Sequence, residues 1–239
     1  MATWLITGCS TGLGRALAQT VLANGHNAVV TARNVTAVEG IAAAYPDTAL
    51  ALPLDVTNTA EIGPVVEHGR ARFGGIDVLV NNAGYGYRAA VEEADDADIR
   101  QLFDTNFFGV VSMIKAVLPG MRASRAGFIL NISSIGARIS PAGSGYYSAS
   151  KAALESLSGS LHKELKPLGI NVTVIEPGAF RTDFAGRSLT QSATPIKDYA
   201  ETAGSAARRT TRSTAPSRAT LPRRRKPSCR SPKARTRPP

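Results

Sequence analysis

Tyr147 and Lys151 are the residues whose types and spacing most directly suggest chemistry in this sequence. They lie four positions apart where a helical pattern begins, so their side chains share one face of the predicted helix. A free tyrosine titrates at about 10, but a neighbouring ammonium group favours the phenolate and lowers that pKa. Such a tyrosine can give a proton to a carbonyl oxygen or take one from an alcohol. The pair predicts general acid–base catalysis, although the spacing alone is a weak signal.

Ser134 is a hydroxyl that could join this pair, because it closes a predicted strand upstream of Tyr147. Its neighbour Ser133 is the weaker candidate, since alternation along a strand points it to the other face of the sheet. Tyr146 is the weaker tyrosine, because the fourth residue after it is a serine. For either serine the alternative interpretation is a hydroxyl that caps the end of the strand.

Asn106 shares a predicted helix face with Leu102 and Val110, so that an amide interrupts an apolar stripe. A buried amide needs hydrogen-bond partners, because an unpaired polar group is costly in a protein interior. Taken by itself, the residue is either a core asparagine with satisfied hydrogen bonds or a member of the site.

A glycine-rich segment follows the first predicted strand and opens a helical pattern, reading Thr7-Gly8-Cys9-Ser10-Thr11-Gly12-Leu13-Gly14. Gly8 would permit a tight turn, Gly12 would let the backbone approach a pyrophosphate, and Gly14 would let the helix pack closely on the sheet. The helix N-terminus would then face the phosphates. A plain glycine turn is the alternative, but the order of strand, glycines and helix favours nucleotide binding.

Short β-rich runs alternate with helical patterns through residues 3–175, which is typical of βαβ units and a parallel sheet. The runs are mostly continuous apolar segments, as strands buried on both faces should be. The predicted strands are residues 3–7, 27–32, 49–54, 76–80, 128–132 and 170–175. Gly25 and Gly169 follow helical stretches, where C-terminal caps are expected. We therefore predict an α/β fold with a Rossmann-type doubly wound parallel sheet in a single domain.

The net charge of +10 would normally suggest a nucleic-acid or membrane partner. However, residues 204–239 hold 12 Lys and Arg and no acid, so all 18 acids lie in residues 1–203 beside the other 16 bases. No apolar run approaches the ~18 residues that span a bilayer, and the N-terminus reads as a strand rather than a signal peptide. Two cysteines cannot form a disulfide framework. We expect a cytoplasmic protein with no specific nucleic-acid partner and no membrane span.

The basic segment differs from the rest of the chain in composition as well as charge. It is rich in Arg, Pro, Ser and Thr, and Leu221 is its only large aliphatic residue. Such a segment cannot bury enough apolar area to offset the entropy of ordering it. We therefore divide the chain into a dinucleotide-binding catalytic domain, residues 1–203, and a disordered tail, residues 204–239.

Together these motifs resemble the short-chain dehydrogenase/reductase family. The glycine segment has the family's TGxxxGxG pattern, residues 81–84 read Asn-Asn-Ala-Gly, and residues 177–182 are similar to its PGxxxT segment. The resemblance runs from about residue 3 to 190 and implies an oxidoreductase that transfers a hydride between NADP(H), or alternatively NAD(H), and a carbonyl/alcohol substrate. The catalytic residues that it implies are Asn106, Ser134, Tyr147 and Lys151. In that set the serine positions the substrate and the asparagine holds a water near the lysine.

The resemblance also implies which residues hold the cofactor. Asp55 would meet the adenine ring, although by its position it could equally cap a helix, with Asn58 competing for that role. Lys151 would hold the nicotinamide ribose and Thr182 would reach the carboxamide. The implied cofactor set, without any metal ligand, is Gly8, Ser10, Thr11, Gly12, Leu13, Gly14, Arg33, Asp55, Asn82, Ala83, Gly84, Tyr147, Lys151, Pro177, Gly178 and Thr182.

The C-terminal region departs from the family pattern. Members usually continue with another helix, a seventh strand and a substrate segment, whereas no β-prone run follows Ile196 here. We therefore expect about six strands without the usual seventh, and an atypical or truncated C-terminus. This puts in doubt the substrate pocket and the homodimer or homotetramer interface that the last strand normally builds. The alternative function is a dinucleotide-binding protein with little or no turnover.

The end of the second predicted strand leads to a prediction about the cofactor. Ala32 stands where NAD-preferring relatives carry Asp, and the Arg33 that follows could accommodate a 2′-phosphate, or could simply be a solvated surface charge. NADP(H) should bind at least about tenfold more tightly than NAD(H), a difference of about 1.4 kcal/mol. Titration with each cofactor measures this, and equal dissociation constants would contradict the prediction.

Overall fold

The computed structural model describes residues 1–178 and 188–205 of the chain. The strands within those residues are β1 Thr3–Ile6, β2 Asn27–Ala32, β3 Ala49–Pro53, β4 Val78–Asn81, β5 Gly86–Arg88, β6 Gly127–Ile132, β7 Ile170–Ile175 and β8 Leu189–Gln191. Six of them form a parallel sheet in the order β3-β2-β1-β4-β6-β7, and β5 pairs with β8 in a separate parallel ribbon. The predicted doubly wound parallel sheet of about six strands is confirmed.

Helices cover both faces of the main sheet. They are α1 Gly12–Ala23, α2 Thr36–Ala44, α3 Thr59–Phe73, α4 Asp96–Phe103, α5 Gly109–Ser124, α6 Gly136–Ile139 and α7 Gly145–Leu165. A π-helical turn, Asp104–Phe108, joins α4 to α5, and 3-10 turns lie at Lys166–Leu168 and Lys197–Tyr199. Buried side chains of α1 and α2 pack on one face of the sheet, and those of α3, α5 and α7 pack on the other.

Alternation along the central strands builds these two cores. Leu5 and Val29 are paired across β1 and β2 and belong to the core under α3, α5 and α7. The next pair, Ile6 and Val30, belongs to the core under α1 and α2. Because every second residue faces the opposite layer, a strand covered on both sides must be apolar throughout. This explains why continuous apolar runs predicted these strands correctly.

Two helices end at the glycines that the sequence predicts as C-terminal caps. Gly25 and Gly169 have φ angles of 76° and 74°, a left-handed conformation that ends a helix without the penalty of a Cβ atom. The buried face of α7 is not wholly apolar. Leu157 is half-buried, whereas the neighbouring Ser158 is buried because it has hydrogen-bond partners in the interior.

The helical stretch Asp96–Ser124 is long and apolar enough, by length and composition, to cross a membrane. Its apolar side is occupied inside the protein, since Val110, Met113, Val117 and Met121 all belong to the core beneath the sheet. A buried core helix passes the same test, so this stretch is weak evidence for a membrane span.

The last described residues lie close to the predicted boundary between domain and tail. Ala203 is buried against Gly143, and a helical turn continues from it to Ser205, whose hydroxyl donates to the carbonyl of Thr202. Residues 204 and 205 are half-buried, and the domain boundary after residue 203 stays a prediction. The remainder of the predicted tail lies outside the described residues.

Gly14 is a glycine whose replacement should disturb the fold directly. A Cβ atom there would collide with the carbonyl oxygen of Gly8 and the side-chain amide of Asn82. Gly14→Ala should therefore lower the free energy of unfolding by ~1–3 kcal/mol through overpacking. Gly40→Ala is the matched control, because nothing lies within 4 Å of its new methyl group. The control should stabilise α2 by up to about 1 kcal/mol. Urea unfolding tests both, and equal stability of the two variants would refute the close contact.

Candidate active site

The glycine-rich segment forms a turn that leaves the start of α1 open. Gly8 and Gly12 have φ angles of 71° and 58°, so the backbone takes left-handed turns that favour glycine. Thr11 precedes the helix without a side-chain capping bond, and no acidic residue lies in the first turn. The N–H groups of that turn and the positive end of the helix are thus arranged to receive an anionic group such as a phosphate.

Cys9 lies within this turn, yet it is fully buried. Its thiol donates a hydrogen bond to the carbonyl of Ile6 at 3.2 Å. Burial raises the pKa of the Cys9 thiol to about 12. The residue therefore packs as an uncharged thiol and is not a nucleophile.

Thr7 and Asn82 join the glycine turn to the end of β4. The Thr7 hydroxyl accepts hydrogen bonds from the backbone N–H groups of Asn82 and Ala83 at 3.0 and 2.9 Å. The Asn82 side chain donates to the carbonyls of Thr7 and Gly8 at 2.8 and 3.0 Å. These contacts lie between β1 and β4, where the strand order reverses and the chain leaves towards opposite faces. Such a point opens a crevice at the carboxyl ends of the strands, where ligands of this architecture bind.

The predicted adenosine end lies along the carboxyl ends of β2 and β3. Ala32 is buried and Arg33 is exposed, so the guanidinium is accessible beside the crevice. Asp55 is half-buried and accepts hydrogen bonds from the backbone and hydroxyl of Thr57 at 2.9 and 2.8 Å. Asn58, whose side chain accepts from the N–H of Ala60, caps α3. Asn58 rather than Asp55 therefore caps α3, and the role of Asp55 at the adenine ring stays a prediction.

Lys151 points from α7 to the carboxyl end of β6. Its ammonium group donates a hydrogen bond to the carbonyl of Ile132 at 2.8 Å, and the side chain is 5% exposed. Burial lowers the pKa of Lys151 from 10.5 to about 8. The ammonium also lies near Gly84, where a Cβ atom would lie 3.4 Å from it. This glycine therefore leaves space above the lysine.

Tyr147 lies on α7 one helical turn before Lys151, and Ser134, which follows β6, lies beside the tyrosine. A hydrogen bond links the two side chains. The Ser134 hydroxyl oxygen also accepts from the N–H of Gly136 at 3.1 Å, which fixes its position. Ser133 donates to Glu155, which also lies on α7, so the predicted orientation of Ser133 away from the site is not observed.

The titration of Tyr147 differs from the expectation drawn from its lysine neighbour. Burial raises the pKa of Tyr147 above its ordinary value of 10.0, while the hydrogen bond to Ser134 and the charge of Arg88 act in the opposite direction. Desolvation disfavours the charged phenolate and outweighs both of those effects. In the ligand-free protein Tyr147 is therefore a phenol at neutral pH.

Asn106 lies in the π-helical turn and is completely buried. Its side-chain oxygen accepts from the N–H of Tyr85 at 3.1 Å, and its amide donates to the carbonyl of Tyr85 at 2.9 Å and to Ser150 at 3.3 Å. The amide is thus satisfied by the segment that follows β4. A Cβ atom on Gly84 would lie 2.9 Å from the Asn106 oxygen, so the residue borders the same space as Lys151.

The remaining predicted residues flank this space or lie outside the described chain. Pro177 accepts a hydrogen bond from the N–H of Ile135, which brings residues 177–178 next to the Ser134 turn. Thr182 lies outside the described residues. Within residues 1–178 and 188–205, no three His, Cys, Asp or Glu side chains come together as a metal site.

Sequence reasoning overlooked two residues of this region. Thr7 was identified only as part of a pattern, although a hydroxyl at the end of a strand signals a possible backbone partner. No sequence pattern marks Arg88 as a site residue, because it is a single arginine in a three-residue strand. Its charge nevertheless opposes the rise in the pKa of Tyr147 that burial causes.

Comparisons with known proteins agree with this geometry. The family model described as short chain dehydrogenase matches residues 2–193. Oxidoreductase BOA17 of Botryotinia fuckeliana is 40% identical over 202 residues, which are 84% of this chain and 73% of that protein. A short-chain dehydrogenase from Streptomyces avermitilis has a TM-score of 0.83 at 43% identity, covering 89% of this chain and 79% of that one. A 3-ketoacyl-(acyl-carrier-protein) reductase from Brucella melitensis, complexed with NADH, has a TM-score of 0.74 at 30% identity and covers 77% of each chain.

The buried lysine leads to a prediction about pH. Because the pKa of Lys151 is about 8 in the folded protein and 10.5 otherwise, the unfolded chain holds more protons between these values. Burying the charge thus costs most below the lower value, and the cost disappears as the pH rises through this window. Lys151→Met should exceed wild type in stability by the largest margin below about pH 8, and the margin should shrink towards about pH 10.

Urea unfolding from pH 7 to 10 measures this margin. The opposing titrations of Cys9 and Tyr147 occur in both proteins and cancel in the difference. Lys115→Met, which replaces an exposed lysine on α5, is the control and should track wild type at every pH. A margin for Lys151→Met that stays constant with pH would show that the ammonium is not desolvated.

Proposed function

Since this chain belongs to the short-chain dehydrogenase family, we propose that it is an NADP(H)-dependent oxidoreductase acting on a small carbonyl or alcohol substrate. Tyr147 is its general acid and base. The observation that carries this proposal is the arrangement at the start of α7. There the Tyr147 hydroxyl is hydrogen-bonded to Ser134, and the Lys151 ammonium is fixed on the Ile132 carbonyl beside it.

The residues at the crevice fit a dinucleotide. The open start of α1 and its glycine turn suit the pyrophosphate, and the space kept clear by Gly84 leaves room beside Lys151. Arg33, exposed at the end of β2, suits a 2′-phosphate. When bound, the nicotinamide supplies or accepts the hydride. We propose that the cofactor residues are those implied by the family resemblance, including Thr182.

Side chains of the protein donate the proton and hydrogen-bond the substrate oxygen. A phenol that keeps its proton at neutral pH is the form that can donate to a carbonyl oxygen as it is reduced. The proposed role of Ser134, whose hydroxyl oxygen accepts from the Gly136 N–H, is to hydrogen-bond the same substrate oxygen. In the oxidative direction the phenolate is required, and the positive charge of Arg88 favours that form.

Tyr147→Phe tests the proposal, because it removes the transferred proton and leaves the ring in place. The rate of NADPH-dependent reduction should fall by about 10²–10⁴-fold, whereas NADPH affinity should stay nearly unchanged. The readout is NADPH oxidation against a panel of aldehydes, ketones and quinones, with cofactor titration in parallel. A variant that kept a tenth of the wild-type rate would exclude Tyr147 as the acid.

Tyr146→Phe is the matched control, since this hydroxyl donates to the Val91 carbonyl and lies outside the site. Its turnover should equal that of wild type. A wild-type chain that binds NADPH but reduces no member of the panel would favour the alternative function, a dinucleotide-binding protein without turnover.

A further inference from the structure

Arg88 carries a positive charge that the described residues leave without a counter-ion. It is half-buried, and its Nε atom is fully buried without a hydrogen-bond partner in the described part of the chain. The ion pairs of these residues involve Arg70 and Arg138, and none involves Arg88. Arginine stays protonated in proteins, so the positive charge remains in this environment.

A backbone hydrogen bond joins the residue after Arg88 to the turn that precedes α7. The N–H of Ala89 donates to the Gly143 carbonyl at 3.1 Å, two residues before α7 begins. Because the side chains of a strand alternate, Tyr87 takes the opposite direction, where it is buried and its hydroxyl bonds Asp98. Arg88 is thereby held beside the helical turn that carries Tyr147, close enough for its charge to act on the phenol.

A partly desolvated guanidinium without a counter-ion is costly, and pairing with an anion offsets that cost. The planar fork of N–H donors matches a carboxylate, which accepts two parallel hydrogen bonds. An anionic ligand in the crevice would therefore find its counter-ion next to the general acid.

We propose that Arg88 binds a carboxylate on the substrate, so that the enzyme interconverts an oxo acid and the corresponding hydroxy acid. This inference rests on the proposed function. In the reductive direction the carbonyl carbon receives a hydride from NADPH, and the carbonyl oxygen receives the proton of Tyr147. The products are the hydroxy acid and NADP⁺, and the carboxylate on Arg88 is unchanged. Solvent restores the proton to Tyr147.

Matched acids and esters test the proposal directly. The probes are straight-chain oxo acids of increasing length, each with its methyl ester, assayed with the full chain and NADPH. For the best length, wild type should favour the acid over its ester by at least about tenfold in kcat/KM, which corresponds to about 1.4 kcal/mol. Arg88→Gln should abolish this preference, mainly through a higher KM for the acid. Its kcat/KM on the ester should fall much less than its kcat/KM on the acid. Arg88→Lys should retain part of the preference.

Stability distinguishes recognition from a structural role. Removing an unpaired, partly buried charge should leave the melting temperature of Arg88→Gln equal to or above that of wild type. The control is Arg70→Gln, which removes an exposed arginine that is ion-paired to Glu67 on α3. It should keep the full acid preference. A clear drop in the melting temperature of Arg88→Gln would show that a group of this chain already pairs with Arg88, and would overturn the proposal.

The remaining outcomes are also decisive. If Arg88→Gln slowed acid and ester equally and shifted the pH profile, Arg88 would tune Tyr147 and would not bind substrate. If wild type reduced neutral carbonyls without preferring acids, this inference would fail while the proposed function stood. If NADPH bound and no carbonyl of either kind were reduced, the proposed function itself would fail.

Discussion

The hydroxyl of Thr7 supports the crevice on which the site is built. Where β1 and β4 end side by side, the chain turns towards opposite faces of the sheet, and the ladder of backbone hydrogen bonds stops. Thr7 accepts the N–H groups of Asn82 and Ala83, and the Asn82 side chain returns two hydrogen bonds to the Thr7 and Gly8 carbonyls. Without these contacts, backbone groups at the crevice would be buried unpaired, which costs free energy.

A second polar chain inside the core sets the rotation of α7. Asn81 donates to Asn131, Asn131 donates to Ser158, and Ser158 donates to the Leu154 carbonyl. Ser158 follows Lys151 by two helical turns and therefore lies on the same face. The rotation that satisfies the serine thus also directs the lysine at β6. Because a buried polar group without a partner is costly, the hydrogen bond from Asn131 to Ser158 favours one rotation of the helix over others.

The sequence predicted what depends on local pattern, and it could not predict what depends on distant pairing. Continuous apolar runs identified the central strands because both faces of the sheet are covered. The Tyr147–Lys151 spacing placed both side chains on one helical face because that geometry is regular. In contrast, β5 is only three residues long and pairs with β8 far along the chain, so no periodicity marks it. The environment of Arg88 depends on that pairing. For the same reason, the desolvation that dominates Tyr147 could not be inferred from its neighbours in sequence.

The buried thiol of Cys9 affects how the protein responds to its chemical surroundings. A cysteine inside an open glycine-rich turn would ordinarily be a point of oxidative damage, because a thiolate there could react with peroxide or exchange with disulfides. With a pKa raised to about 12 and no solvent exposure, the Cys9 sulfur offers neither the charge nor the access that such reactions need. The glycine turn should therefore keep its conformation under oxidising conditions that would modify an exposed thiol at the same position.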